Sequence, residues 1–159
     1  MKPFRILALA LIVGVASAVL ALWRWQSGGH AAYSPAANPS VLLEAALREA
    51  RASNRKVLVI AGGDWCRWCL ILDRFVAANP DVKSALDGTF VVVKAYVGEK
   101  NQNTAFFAKL PKAQGYPHFW VLNQDGNVAA SVNTGPLEKG PDSYDKERFL
   151  QFILDMRRA

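Results

Sequence analysis

The sequence predicts an α/β fold in which helices cover both faces of a central mixed sheet. Two apolar runs rich in β-branched residues, 56–61 and 89–97, are typical of strands that are buried on both faces. Segments with helical periodicity separate these runs, and a turn at residues 123–126 joins two further strands into a hairpin. Strands that alternate with helices and end in a hairpin indicate one three-layer domain.

The first helix is expected from residue 39 to about residue 52, because Asn38 can cap it and Pro39 suits a first helical position. Strand 56–61 follows and is expected at the centre of the sheet. The later elements rest on apolar periodicity and are, in chain order, a helix at 65–79, a short helix at 81–86, strand 89–97, a helix at 102–110, strands at 118–122 and 128–132, and a helix at 145–158.

Residues 1–25 are predicted to be a membrane anchor. Residues 6–23 carry no charge and are preceded by Lys2 and Arg5, and a run of this length can span a bilayer as a helix. The positive flank favours a cytoplasmic N-terminus and an exported domain, which would lie in the periplasm at the inner membrane. A cleaved signal peptide, leaving a soluble periplasmic protein, is the alternative, because residues 16–18 read Ala-Ser-Ala.

Residues 26–39 are rich in Gly, Ala, Ser and Pro without hydrophobic periodicity, which predicts a flexible linker before a domain at 40–159. The formal charge of the chain is +6. Lys2, Arg5 and Arg24 supply three of these charges, so the remainder carries 6 − 3 = +3. This balance does not indicate a nucleic-acid-binding surface.

The two cysteines of the chain, Cys66 and Cys69, lie between a buried strand and a helix. At a helix N-terminus, unpaired N–H groups and the helix dipole stabilise a thiolate, so the pKa of Cys66 is expected below its free value of about 8.5. Cys69 lies one turn later on the same helical face and is more sheltered, so it can resolve a mixed disulfide that Cys66 forms. This placement favours a redox centre.

Two other interpretations of the cysteine pair remain open at this point. A purely structural disulfide would close a very short loop, for which the loop-entropy model gives the least stabilisation. A closed zinc site requires four ligands, and His118 is the one plausible addition to the cysteines, which leaves Cu(I) as the metal to consider.

The motif Trp65-Cys66-Arg67-Trp68-Cys69 after a buried strand, followed by Gly-Tyr-Pro at 115–117, resembles the thioredoxin family. The chain is most similar to the thioredoxin-like domains of bacterial membrane-anchored thiol:disulfide interchange proteins. The resemblance implies a thioredoxin-like three-layer α/β/α fold and a catalytic pair of Cys66 and Cys69. It also implies a cis Pro117 that faces the cysteines and pairs with an extended substrate.

The residues around the motif give further expectations. The resemblance implies that Tyr116 and Pro117 bind the substrate. The tryptophans that flank the cysteines are also expected at the substrate site, with Trp65 packed against the motif and Trp68 lying outside as an apolar lip. Ile60 stands where thioredoxins carry a buried aspartate. The family lysine that accompanies this aspartate corresponds to Lys94, and Asp64 or Glu99 would have to replace its missing partner.

These observations predict a membrane-tethered thiol-disulfide oxidoreductase without a cofactor or bound metal. Its partners would be exported proteins with cysteines or disulfides, and a membrane electron donor if the protein is a reductase. A Cu(I)-delivery protein that uses the same cysteines is one alternative, and a peptide-binding thioredoxin-fold module without catalysis is another.

Overall fold

The computed structural model describes residues 33–159. The predicted anchor at 1–25 and the first half of the predicted linker, residues 26–32, lie outside the described residues. No helix within residues 33–159 is long and apolar enough to cross a membrane. The folded part begins before the predicted boundary at residue 40, because Tyr33 packs against the domain's core and Asn101 Nδ2 donates a hydrogen bond of 2.8 Å to the Pro35 carbonyl.

The helices and strands follow the predicted order, with a 3-10 turn and two short strands added before the last helix. They are α1 (Pro39–Ser53), β1 (Lys56–Gly62), α2 (Arg67–Ala78), α3 (Pro80–Thr89), β2 (Phe90–Tyr96), α4 (Thr104–Phe107), β3 (His118–Leu122), β4 (Val128–Asn133), a 3-10 turn (Gly135–Leu137), β5 (Glu138–Lys139), β6 (Ser143–Tyr144) and α5 (Lys146–Arg158). The predicted α/β fold with a mixed central sheet is confirmed.

The four-stranded sheet has the order β2-β1-β3-β4. Strand β1 pairs parallel with β2, with Ile60 opposite Lys94, and antiparallel with β3. Strands β3 and β4 form the expected hairpin. Strand β1 is therefore internal, which explains why its residues from Val57 to Gly62 are all buried and why its sequence reads as a continuous apolar run.

Each face of the sheet carries its own hydrophobic core. In the α2-side core, on one face, α2, α3 and α5 pack their apolar stripes against alternate residues of the strands, among them Leu58 and Ile60 of β1. In the α1-side core, on the other face, α1 and Phe106 of α4 pack against the intervening residues Val57, Val59 and Ala61. The alternation assigns each side chain of β1 to one of two environments.

Two segments differ from their predicted structure. The helix expected at 102–110 is reduced to Thr104–Phe107. Its late start follows from Asn103, which has a left-handed backbone (φ 45°) and whose side-chain Nδ2 donates to the Tyr96 carbonyl at 2.8 Å. No helix or strand was predicted for residues 135–141, but this segment contains a 3-10 turn and β5, the first strand of the β5–β6 ribbon. Burial of Leu137 and Tyr144 against the α2-side core holds this ribbon in place.

Candidate active site

Cys66 and Cys69 form a disulfide at the start of α2, with their Cα atoms 5.2 Å apart. Cys66 is the N-cap residue, with extended backbone, and its Sγ accepts a hydrogen bond from the Cys69 N–H at 3.2 Å. The predicted position of Cys66 at a helix N-terminus is confirmed. Cys66 is 4% exposed and Cys69 is fully buried, so Cys69 is the more sheltered of the two.

Gly62 makes room for the disulfide at the end of β1. A Cβ atom at this position would lie 2.3 Å from the Cys69 Sγ and 3.1 Å from the Tyr33 hydroxyl. Real Cβ atoms do not come this close to another heavy atom. Position 62 therefore requires glycine for steric reasons, although its backbone needs no unusual φ.

Trp65 lies outside the core and Trp68 lies partly inside it, which reverses the expected arrangement. Trp65 is 53% exposed, and its Nε1 donates a hydrogen bond of 2.7 Å to the Val97 carbonyl. Trp68 is half-buried, with its ring edge against Tyr144 at a centroid distance of 5.5 Å. The reason is helical spacing: Trp68 lies four residues before Leu72 on the apolar face of α2, whereas Trp65 precedes the helix.

Tyr116 and Pro117 lie beside the exposed tryptophan. The Tyr116–Pro117 peptide bond is cis, as the resemblance implies. Tyr116 is 39% exposed, and its ring meets Trp65 edge-on at a centroid distance of 5.7 Å. Pro117 is buried, and the Thr134 hydroxyl donates a hydrogen bond of 3.0 Å to its carbonyl. These contacts join Trp65, the residue before Cys66, to Tyr116, while Trp68 packs against the core.

A groove with a volume of about 610 Å³ opens beside Trp65 and Tyr116. Its other wall is the segment after β2, which includes Glu99 and Lys100. Lys100 Nζ lies 3.1 Å from an oxygen of Asp64, and both side chains are exposed. The hydrogen bond from Lys100 lowers the pKa of Asp64, so this wall of the groove carries a charged pair at neutral pH.

Asp73 is the partner of Lys94, which corrects the expectation that Asp64 or Glu99 would take that place. Lys94 Nζ lies 2.6 Å from the Asp73 Oδ1, and the Lys94 side chain is only 5% exposed. Asp73 lies four residues after Cys69 on α2, so it points from the same helical side toward β2. That spacing was the available sequence signal for Asp73.

Tyr33 is a second residue that sequence reasoning missed. It packs on the same core as α2, and the Lys94 Nζ lies 5.1 Å from its ring centroid. Burial raises the pKa of its phenol, and the Asp73 carboxylate adds to this effect. No sequence pattern indicates this role, because Tyr33 stands alone in a segment without hydrophobic periodicity.

His118 belongs to the opposite face of the sheet. It is 1% exposed, its Nε2 lies 2.9 Å from the Ser131 hydroxyl, and its ring meets that of Trp120 in the α1-side core. Cys69 lies against Gly62 on the other face, so His118 is not placed to join the cysteines as a ligand. Among residues 33–159, no group of three or more His, Cys, Asp or Glu side chains is arranged to hold a metal ion.

The family and the fold emerge from comparison with known proteins. A thioredoxin-like family model matches residues 39–124, which is more than half of the 159 residues. With the Cys66–Cys69 pair, this match confirms the predicted enzyme class, a thiol-disulfide oxidoreductase. No curated protein matches the chain.

Two solved structures are similar to the described fold. A disulphide isomerase from Xylella fastidiosa Temecula1 has a TM-score of 0.67 at 22% identity, covering 78% of this chain and 95% of that one. The oxidised DsbD c-terminal domain of Neisseria meningitidis has a TM-score of 0.58 at 16% identity, covering 79% and 98%. At these identities the likeness shows the fold, and the family follows from the sequence match: the chain belongs to the thioredoxin-like family.

Proposed function

We propose that the chain is an exported, membrane-tethered thiol-disulfide oxidoreductase that exchanges disulfides with other exported proteins. The observation that carries this proposal is the Cys66–Cys69 disulfide at the N-cap of α2, beside the exposed aromatic pair of Trp65 and Tyr116. A helix N-terminus favours the thiolate of the first cysteine. The neighbouring aromatic surface offers a place where a substrate protein can bind with its own disulfide close to Cys66.

In the reducing direction, the Cys66 thiolate attacks one sulfur of a substrate disulfide and forms a mixed disulfide. The other substrate sulfur leaves as a thiolate with the electron pair of the broken bond. The Cys69 thiolate then attacks the Cys66 Sγ, which forms the Cys66–Cys69 bond and releases the second substrate thiolate. The substrate gains two electrons, and the enzyme ends in the oxidised state described here.

The reverse sequence would transfer a disulfide to the substrate, so the direction depends on the reduction potential of the cysteine pair. A value near about −270 mV would mark a reductant that needs a membrane electron donor, and a value near about −120 mV would mark a disulfide donor. Equilibration of the full-length chain in glutathione buffers, followed by alkylation of free thiols, measures this potential.

The proposed substrate is an extended peptide segment that lies against Tyr116 and Pro117, with Trp65 as an apolar lip. Trp65→Ala tests this role because the indole is exposed and contacts Tyr116. Leu154→Ala is a matched control, since Leu154 is an exposed hydrophobic residue of α5, 42% exposed. We expect Trp65→Ala to raise the KM for a protein disulfide several-fold more than for glutathione disulfide, and Leu154→Ala to change neither.

The cysteine variants test the mechanism itself. Cys66→Ser should abolish disulfide exchange, and Cys69→Ser should accumulate a mixed disulfide that non-reducing electrophoresis detects and dithiothreitol releases. Since the chain has two cysteines, any adduct of Cys69→Ser maps to Cys66. Full exchange activity in Cys66→Ser would refute the mechanism. A binding module would be indicated instead if the parent showed no turnover and if replacing both cysteines left substrate binding unchanged.

Export and tethering rest on residues 1–25, with their uncharged run and positive N-terminal flank. We expect the full-length chain to stay in the membrane fraction after an alkaline carbonate wash. We also expect protease added to spheroplasts to digest its domain. Recovery of a shortened chain in the soluble periplasmic fraction would instead indicate a cleaved signal peptide.

A further inference from the structure

The Tyr33 hydroxyl is shielded from solvent and has no hydrogen-bond partner among residues 33–159. A buried polar group without a partner is costly, so such a group in a folded protein requires an explanation. The segment that carries Tyr33 is held in place, because Asn101 Nδ2 donates to the Pro35 carbonyl at 2.8 Å. Tyr33 therefore occupies a defined position.

This position is beside the sulfur of Cys69. The point 2.3 Å from the Cys69 Sγ where a Cβ of Gly62 would stand is also 3.1 Å from the Tyr33 hydroxyl. The distance between sulfur and hydroxyl therefore cannot exceed the sum of these two lengths, and the glycine places no side chain between them. In the oxidised state the disulfide holds the sulfur, and once the disulfide opens the Cys69 side chain is no longer held by that bond.

The surroundings keep the phenol neutral. Burial and the Asp73 carboxylate both raise the pKa of Tyr33, so it carries its proton at physiological pH and can donate it in a hydrogen bond. Lys94, whose Nζ lies 5.1 Å from the phenol ring, is itself paired with Asp73 at 2.6 Å. Ile60, opposite Lys94 in the sheet, has an apolar side chain and supplies no such donor.

We infer that Tyr33 is a positioning residue for Cys69, whose thiolate accepts a hydrogen bond from the Tyr33 hydroxyl when the disulfide is open. The hydrogen bond stabilises the thiolate that attacks the Cys66 Sγ; in that step the Cys66–Cys69 bond forms and the substrate sulfur leaves with the electron pair. The Cys69 proton is lost to solvent before attack, and Tyr33 keeps its own. The catalytic consequence rests on the proposed function, whereas the hydrogen bond does not.

The test is a pH titration of the reduced full-length chain labelled with 13Cβ-cysteine and followed by NMR. Two cysteines give two resonances, and Cys66→Ser assigns them. A hydrogen bond to a charged group predicts that Tyr33→Phe raises the pKa of Cys69 by about one to two units. The matched control is Tyr144→Phe, which removes another shielded phenol oxygen from the same core and should leave this pKa unchanged.

Tyr33→Phe removes one oxygen that has no hydrogen-bond partner among residues 33–159 in the oxidised state, so the thermal melting of the oxidised variant should match that of the parent. An unchanged pKa of Cys69 in Tyr33→Phe, or an equal shift in Tyr144→Phe, overturns the inference. Disulfide exchange by the parent distinguishes this failure from failure of the proposed function. If the parent is active and Tyr33→Phe leaves the pKa of Cys69 unchanged, the inference alone is refuted. If the parent is inactive and Tyr33→Phe raises the pKa of Cys69 as expected, the proposed function alone is refuted.

Discussion

Gly62→Ala is expected to destabilise the oxidised protein more than the reduced protein. The added methyl group would stand 2.3 Å from the Cys69 Sγ and 3.1 Å from Tyr33. In the oxidised state the Cys66–Cys69 bond fixes the sulfur, so the strain must pass into the ends of β1 and α2. In the reduced state the thiol can rotate away from the methyl group and relieve the closer contact.

The magnitude follows from the cost of overpacking a core, which is typically about 1–3 kcal/mol. Because the fixed sulfur cannot move aside, we expect Gly62→Ala to lower the free energy of unfolding by about 3 kcal/mol in the oxidised form and by about 1.5 kcal/mol in the reduced form. The difference of about 1.5 kcal/mol corresponds to a rise in reduction potential of about 30 mV for a two-electron couple. The oxidised form should melt on the order of 10 °C lower than the parent.

Urea unfolding of both redox forms measures the two losses, and a glutathione equilibrium measures the potential. Gly115→Ala is the matched control, because a Cβ at Gly115 meets no atom within 4 Å; it should stay within about 1 kcal/mol of the parent in both forms. Equal destabilisation of the oxidised and reduced forms by Gly62→Ala would refute the reasoning from the fixed sulfur.

Three further predictions concern groups around the site. Asp73→Asn leaves the buried Lys94 amine without its carboxylate and should cost about 1–3 kcal/mol in urea unfolding, less than a fully buried pair because Asp73 is 39% exposed; a gain in stability would contradict this. Thr134→Val leaves the Pro117 carbonyl without its donor and should cost about 1–3 kcal/mol, whereas Thr134→Ser should retain most of the stability. Burial lowers the pKa of His118. The contribution of the neutral imidazole to the free energy of unfolding is therefore present above pH 6.5 and is lost as pH falls through the folded pKa. Urea unfolding between pH 7 and pH 5 should show this loss of stability, and His118→Gln should make the loss smaller.

The buried strands and their order along the chain were predictable because each of these strands is a continuous apolar run, a pattern that burial on both faces imposes. Strand β1 at Lys56–Gly62 and strand β2 at Phe90–Tyr96 lie within one residue of their predicted limits. The cysteine pair was predictable for a similar reason: its position between a strand and a helix is local in the sequence. The cis Tyr116–Pro117 bond followed from the family resemblance.

The less predictable features depend on which face or which strand a side chain meets. The roles of Trp65 and Trp68 depend on where α2 begins, and the helix starts at Arg67 rather than at residue 65. This shift of two residues leaves Trp65 on the surface. The partner of Lys94 depends on how α2 lies over β2, which the sequence near Lys94 does not contain, so the nearby residues Asp64 and Glu99 were considered instead of Asp73.

The N-terminal limit of the domain also affects its chemistry. Linker composition placed the boundary at residue 40, yet Tyr33 packs on the α2-side core and its hydroxyl lies beside Gly62 and Cys69. Where thioredoxins place a buried aspartate on the strand, this chain has Ile60, and a shielded phenol close to Cys69 comes from the segment before α1. A fragment that begins at residue 40 would have both cysteines but not this phenol, so its thiol pKa values and reduction potential would describe a different site. Comparative measurements therefore need a fragment that retains Tyr33 and the Pro35 contact with Asn101.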